Sequence, residues 1–354
     1  MGISGEKPRP GDLPRGRRPA VVAVEREGSA RLRRNACHLR YRGVSVGRKR
    51  HPCNRSFLLL ILILSFTSAC SIKKYAINQV GDALASGDSV YETDEDPDLV
   101  GEALPFGLKL TESLLAESPN HRGLLLTACR GFTLYSYGYV DFAGEKAMDE
   151  DFERGSELRT RARKLYLRAL DYCLRGIERS YPGFRESLVA QPEQAARMVQ
   201  GRKRRWDLPF LYWTSASLGL AISVSKGDAA MLARLPEVET LIGHALELDE
   251  DWDGGALHQF KVTFESAKPG DPDAEVIRAH YERALALSGG SSAGAHVAFA
   301  EAVSIPAQNR QEFQALMEKA LAIDPDADPE NRLANLLAQR RAEWLLGRID
   351  ELFL

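Results

Sequence analysis

From Ile72 to the C-terminus, apolar residues recur at intervals of three and four rather than two. That spacing puts them on one face of an α-helix and leaves little room for strands. Leu99, Ala103, Phe106, Leu110 and Leu114 make one stripe within 97–117. Leu158, Ala162, Leu165, Ala169 and Tyr172 make a second within 156–179, and Phe313, Leu316, Ala320 and Ile323 a third within 309–323. Helix breakers separate such segments: Pro119, Pro182, Pro192, Pro236, Gly254-Gly255, Pro269, Gly289-Gly290, Pro306 and Pro325. The pattern predicts an all-α chain of stacked antiparallel helical hairpins.

The segments are related to one another. Met317-Glu318-Lys319-Ala320-Leu321 matches Ile242-Gly243-His244-Ala245-Leu246 and Tyr281-Glu282-Arg283-Ala284-Leu285. Fainter copies lie at Leu167-Arg168-Ala169-Leu170 and at Ser113-Leu114-Leu115, which runs on to Pro119. The pivotal alanines are 39 residues apart (245 to 284) and 36 apart (284 to 320), and Ala169 to Ala245 spans 76, two units of 38. The tetratricopeptide unit is about 34 residues, with a small residue where its two helices approach and a proline that stops the second. The repeats therefore read as degenerate, stretched tetratricopeptide-like hairpins, a superhelix whose concave face is usually a binding face.

The charge is unevenly distributed. Residues 1–50 hold 14 Lys and Arg against four Asp and Glu, and Arg55 is the only Lys, Arg, Asp or Glu in 51–69. A net charge of −2 over the whole chain thus leaves −13 on 70–354. A body so acidic argues against nucleic acid as a partner, because phosphate contact needs a basic face.

Residues 1–50 are rich in Arg and Pro without apolar periodicity, the composition of disorder. They read as a disordered basic segment upstream of the true start, for which Val44 and Val46 are candidates. Phe57 to Ala69 is a 13-residue stretch free of charge, too short for a spanning helix and of the length of a signal-peptide core. It ends in Phe66-Thr67-Ser68-Ala69-Cys70, which resembles a bacterial lipobox despite Thr67 in place of the preferred leucine. The expected organisation is a lipoprotein signal peptide over 51–69, Cys70 as lipid attachment site and an all-α domain over 70–354; an ordinary signal peptide cleaved nearby is the alternative.

Cys37, Cys53 and Cys70 fall in the leader or at the anchor, leaving Cys129 and Cys173 in the body. Both lie among apolar neighbours and read as buried thiols acting as small hydrophobes. Pairing in an oxidising compartment is the alternative.

Motifs for chemistry are missing. Asp249-Glu250-Asp251-Trp252-Asp253-Gly254 begins like a calcium loop, but the twelfth place, which needs a bidentate Glu, holds Phe260. Asp324 to Pro329 lacks the required Gly. Both read as acidic turns that cap the next helix. The seven His are scattered without H-E-x-x-H, and there is no G-x-G-x-x-G, Walker lysine or G-x-S-x-G. Neither an enzyme nor a metal or cofactor site is expected. Arg202-Lys203-Arg204-Arg205 is a basic cluster suited to an acidic partner or to a solvated helix face. Two aromatic stripes stand out: Phe132, Tyr135, Tyr139 and Phe142, with Tyr137 beside them, and Trp206, Phe210 and Trp213, with Tyr212 beside them. Such stripes are commonly core, yet aromatic bodies with polar tips also line ligand passages and interfaces; Phe132, Tyr135, Tyr139, Trp206, Phe210 and Trp213 are the candidate lining residues.

The chain resembles the T-component family of tetratricopeptide-associated TRAP transporters (TatT). The resemblance is carried by Ser86-Gly87-Asp88-Ser89-Val90-Tyr91, Asp96-Pro97-Asp98-Leu99-Val100, Ala103-Leu104-Pro105-Phe106-Gly107-Leu108-Lys109 and Glu112-Ser113-Leu114-Leu115. It continues through Gly131-Phe132-Thr133, Leu165-Tyr166-Leu167-Arg168-Ala169, Leu211-Tyr212-Trp213, Gly255-Ala256-Leu257-His258 and Leu333 to Arg340. It covers essentially all of 70–354 and excludes 1–50. The resemblance implies a periplasmic lipoprotein, a homotrimer with a central opening, whose partner is the transporter's periplasmic solute-binding protein and which helps to pass ligand. A generic tetratricopeptide scaffold in envelope assembly is the alternative function.

Overall fold

In a computed structural model of the chain, the described residues are 75–85 and 90–353. The leader, Cys70 and residues 86–89 lie outside them. The chain divides into two units, Met1–Arg55 and Ser56–Leu354, and every described residue belongs to the second. No strand occurs among the described residues, and none of their helices is long and apolar enough to cross a membrane.

The helices are α1 (75–85), α2 (Pro97–Glu117), α3 (Arg122–Tyr135), α4 (Phe142–Glu150), α5 (Phe152–Glu178), α6 (Phe184–Ala190), α7 (Pro192–Met198) and α8 (Arg204–Ser223). They continue as α9 (Ala229–Leu232), α10 (Leu235–Leu248), α11 (Ala256–Ala267), α12 (Ala274–Leu287), α13 (Ala293–Phe299), α14 (Arg310–Ala322), α15 (Arg332–Gly347) and α16 (Ile349–Leu352). A π-helical turn, Ser136–Asp141, joins α3 to α4 without a break, and a second, Ala300–Ser304, prolongs α13.

Local chemistry starts and stops these helices. The first amides of a helix have no internal partner, and a short polar side chain can take their hydrogen bonds. Asp96, Asp151, Asp228, Asp273, Ser292 and Asn309 each accept from one or more backbone amides in the first turn of α2, α5, α9, α12, α13 and α14. Gly289 and Gly290 take left-handed backbone just past α12, which ends that helix as their sequence suggests.

Neighbours in sequence pack as neighbours in space. α2 lies on α3, α3 and α4 on α5, α5 on α8 and α8 on α10; then α11 pairs with α12, α13 with α14, and α15 closes on both α13 and α14. Ala169, Ala245, Ala284 and Ala320 are all buried, so a small side chain sits in the core at each pivotal position. α11 serves two cores: Leu257 and Phe264 belong to the larger one under α2–α10, and Val262 to a second formed with α12–α16.

Two expectations are corrected. Cys129 of α3 and Cys173 of α5 are a disulfide with Cα atoms 5.0 Å apart, not buried thiols. Helices α3 and α5 are among the most closely packed in the protein, which brings residues 44 apart in sequence into bonding range. In α2 the stripe turned inward is Val100, Leu104, Leu108 and Leu115, one residue round from the one expected. Leu99, Phe106 and Leu110 face outward, and Phe106 is 76% exposed.

α15 also reaches back to the first elements. Arg340 forms a two-pronged bridge to Asp98 of α2 at 2.6 and 3.0 Å. The Leu333 amide donates to the Glu92 carbonyl at 3.0 Å, and Arg332 donates to the Thr93 carbonyl at 2.6 Å. Val100, Leu104, Leu333, Leu337 and Tyr139 form a small apolar cluster at this seam. The succession of helices therefore returns to its start at α2.

Candidate functional site

The six aromatic candidates divide by environment. Phe132 and Phe210 are sealed in the main core and line no surface. Phe210 lies against Gly176 of α5, where a Cβ would overlap its ring. Phe132 stacks on Tyr172 at 5.9 Å. The other four are half-buried. Tyr139 stacks on Tyr135 at 5.9 Å and donates to the Pro97 carbonyl at 2.8 Å, while burial pushes its phenol up to about 12. It buttresses the start of α2. Tyr135 lies beside Arg161, which borders an open groove of about 540 Å³ along α5. Trp206 is held between the guanidinium groups of Arg122 and Arg205, 5.2 and 5.1 Å from its ring. Trp213 meets Tyr212 edge-on at 4.8 Å.

A second group of residues lies around Tyr137. Tyr137, on the first π turn, is 49% exposed, yet desolvation raises its phenol above the ordinary range. The charges acting on it come from Arg341 of α15, Glu301 of the second π turn, Glu145 of α4 and Asp141. Tyr212 of α8, raised chiefly by burial, feels Asp253 and Tyr137. Tyr212 also packs on Trp252 at 5.0 Å and Phe260 at 6.2 Å. Asp253 has left-handed backbone (φ 52°), a strained state for a residue with a Cβ. Desolvation raises its carboxyl while Arg130 of α3 opposes the shift and Asp328 and Glu330, before α15, add to it. Groups from α3, α4, α8, α15 and the two π turns thus act on one another electrostatically around Tyr137, Tyr212 and Asp253.

Arg341 ties α15 to α4 and to the second π turn. It donates to Glu145 at 2.9 and 3.1 Å and to Glu301 at 2.7 and 2.9 Å. Burial alone would pull its guanidinium down, but the two carboxylates hold it well above its usual value.

The acidic turn at 249–254 faces Arg283 of α12, which donates to Glu250 at 2.7 Å and Asp251 at 3.0 Å. Those carboxylates are engaged by a cation of the protein itself. Among the described residues no group of three or more His, Cys, Asp or Glu is arranged to hold a metal ion.

Sequence reasoning placed Tyr137 and Tyr212 beside the stripes, not in them. A π turn adds one residue to the helical register and rotates the succeeding residues by roughly 100°, so straight helical spacing loses phase there. Trp252 and Phe260 come from other elements and meet Tyr212 only through packing.

A family described as TRAP transporter T-component has a model that matches residues 93–353. A protein of Treponema pallidum (strain Nichols), described as an uncharacterized protein, is 29% identical over 321 residues, covering 86% of this chain and 99% of its own length.

Proposed function

The chain belongs to the TRAP transporter T-component family, and from that membership we propose that it is a lipid-anchored periplasmic component that docks the transporter's solute-binding subunit. In this reading residues 51–69 direct export, Cys70 carries the lipid, and residues 1–50 form no part of the mature protein. The body works as a homotrimer of tetratricopeptide-like hairpins. In this reading ligand passes between Tyr137 and Tyr212, with Trp213 beside Tyr212; Tyr135, Tyr139 and Trp206 support the helices around it.

The observation that carries docking is the outward stripe of α2. Leu99, Phe106 and Leu110 are exposed along one face of a 21-residue helix held by the seam with α15. An exposed aromatic amid aliphatics on a rigid helix is the usual anchor of a protein interface. Phe106→Asp should weaken binding of the cognate solute-binding subunit by about tenfold or more, read by surface plasmon resonance, with helical content and the mass from light scattering unchanged. Wild-type affinity in this variant would refute the docking face. A fall in mass would instead make the stripe a contact between copies.

A further inference from the structure

Helix α1 leaves one side without charge. Its inner side holds it on the corner between α2 and α3. Gly81 faces His121 and Leu124, Ala85 faces Gly123, and Ser118 donates to the Asn78 side chain at 2.8 Å. The outer side is Tyr75, Ala76, Gln79, Val80, Ala83 and Leu84, all exposed, with Tyr75, Val80 and Leu84 at 66%, 50% and 45%. The only carboxylate or cation in 75–85 is Asp82, 68% exposed at the flank of this side, where it lies 3.3 Å from the His121 ring, while Ala76, Val80, Ala83 and Leu84 make up the uncharged centre.

We infer that this outer face of α1 rests on the phospholipid bilayer and orients the body against it. The inference rests on the reading of Cys70 as lipid anchor. Tyr75 follows Cys70 by five residues, a length of chain that reaches at most about 18 Å. A lipid on Cys70 therefore holds α1 close to the headgroups. Charge selects the same face. Residues 70–354 carry −13, so acidic surfaces are repelled by anionic headgroups, and an uncharged face beside the tether is the one that approaches. Tyrosine at its start and valine and leucine along it are suited to the interface, where an aromatic ring with a polar tip and a shallow apolar stripe are both accommodated.

The test uses the chain made with its own leader, recovered from membranes and reconstituted in phosphatidylethanolamine–phosphatidylglycerol vesicles. With Cys129 and Cys173 joined and Cys70 acylated, an introduced cysteine is the free thiol to label. Leu84→Cys and, as a remote control on α12, Val276→Cys each carry an environment-sensitive nitrobenzoxadiazole dye. Vesicle flotation is read first: a chain that stays in the soluble fraction overturns the anchor reading and this inference with it. For a floating chain, emission at position 84 should rise about twofold over that in detergent and be quenched by doxyl-labelled lipid, while position 276 is unchanged. Flotation with equal, unquenched emission at both positions overturns the inference and leaves the anchor intact. Shielding at position 84 that persists in detergent and escapes lipid quenching means a second copy covers α1, and likewise overturns it.

Discussion

Gly176 and Phe210 show how a single position decides between core and surface. A methyl group on Gly176 would overlap the Phe210 ring, so the helix pair α5–α8 is set by a glycine slot that an aromatic fills. Gly176→Ala is expected to cost about 2 kcal/mol, overpacking outweighing the better helix propensity of alanine; thermal unfolding several degrees lower checks it, and an unchanged melting point would show that the slot yields. Histidines give a second residue-scale expectation. His258 and His280 face each other with Nδ1 atoms 2.9 Å apart, room for one shared proton. Burial depresses both, His280 to about 4, and does the same to His296. Glu250, Asp251 and Arg283 face His258, and Lys261 and Glu265 face His280. Because the unfolded chain takes up protons near pH 6.5 and the folded chain only near 4, stability is fully present above pH 6.5. It falls as pH drops toward 4, by up to about 1.4 kcal/mol per pH unit for His280 and for His296. His280→Asn should flatten the dependence of melting temperature on pH across that window, and a flat wild-type profile would contradict the assignment.

At the scale of elements, helices were legible because their signals are local. Asp96, Asp151, Asp273 and Asn309 cap where the sequence places a short polar residue ahead of an apolar stripe. Ala245, Ala284 and Ala320 are buried on the inner sides of α10, α12 and α14. What failed was phase. α2 carries two apolar stripes, and periodicity alone does not say which faces α3; packing chose Val100, Leu104, Leu108 and Leu115. The π turn at Ser136–Asp141 likewise carries Tyr137 toward Arg341 and Glu301 while Tyr139 goes to the seam with α2. The disulfide ties two elements that sequence treated separately. Closing a loop of 44 residues stabilises the fold by about 4 kcal/mol in the chain-entropy account. Dithiothreitol, or Cys129→Ala with Cys173→Ala, should therefore lower the melting temperature by several degrees, and equal melting with and without reductant would count against a formed bond.

For the whole molecule, the decisive feature is closure. Arg341 joins α15 to Glu145 and Glu301, and Arg340 joins it to Asp98. Arg341→Met would leave two carboxylates facing each other without their cation, a loss of about 3–5 kcal/mol. Amide hydrogen exchange in α15 should accelerate while the α5–α8 pair stays protected; unaltered exchange in α15 would show that closure does not depend on this residue. The sequence by itself determined the all-α class, the helix limits near their caps and breakers, the acidity of the body and the family, since all of these depend on residue type and near-neighbour spacing. Only the tertiary structure decided which α2 stripe is outward, that Cys129 meets Cys173, that Phe132 and Phe210 are core, and that Tyr137 and Tyr212 come near each other. Those facts depend on helix phase and on contacts such as Arg341 with Glu145 and Arg340 with Asp98, 196 and 242 residues apart, and no local pattern records which distant face a helix will meet.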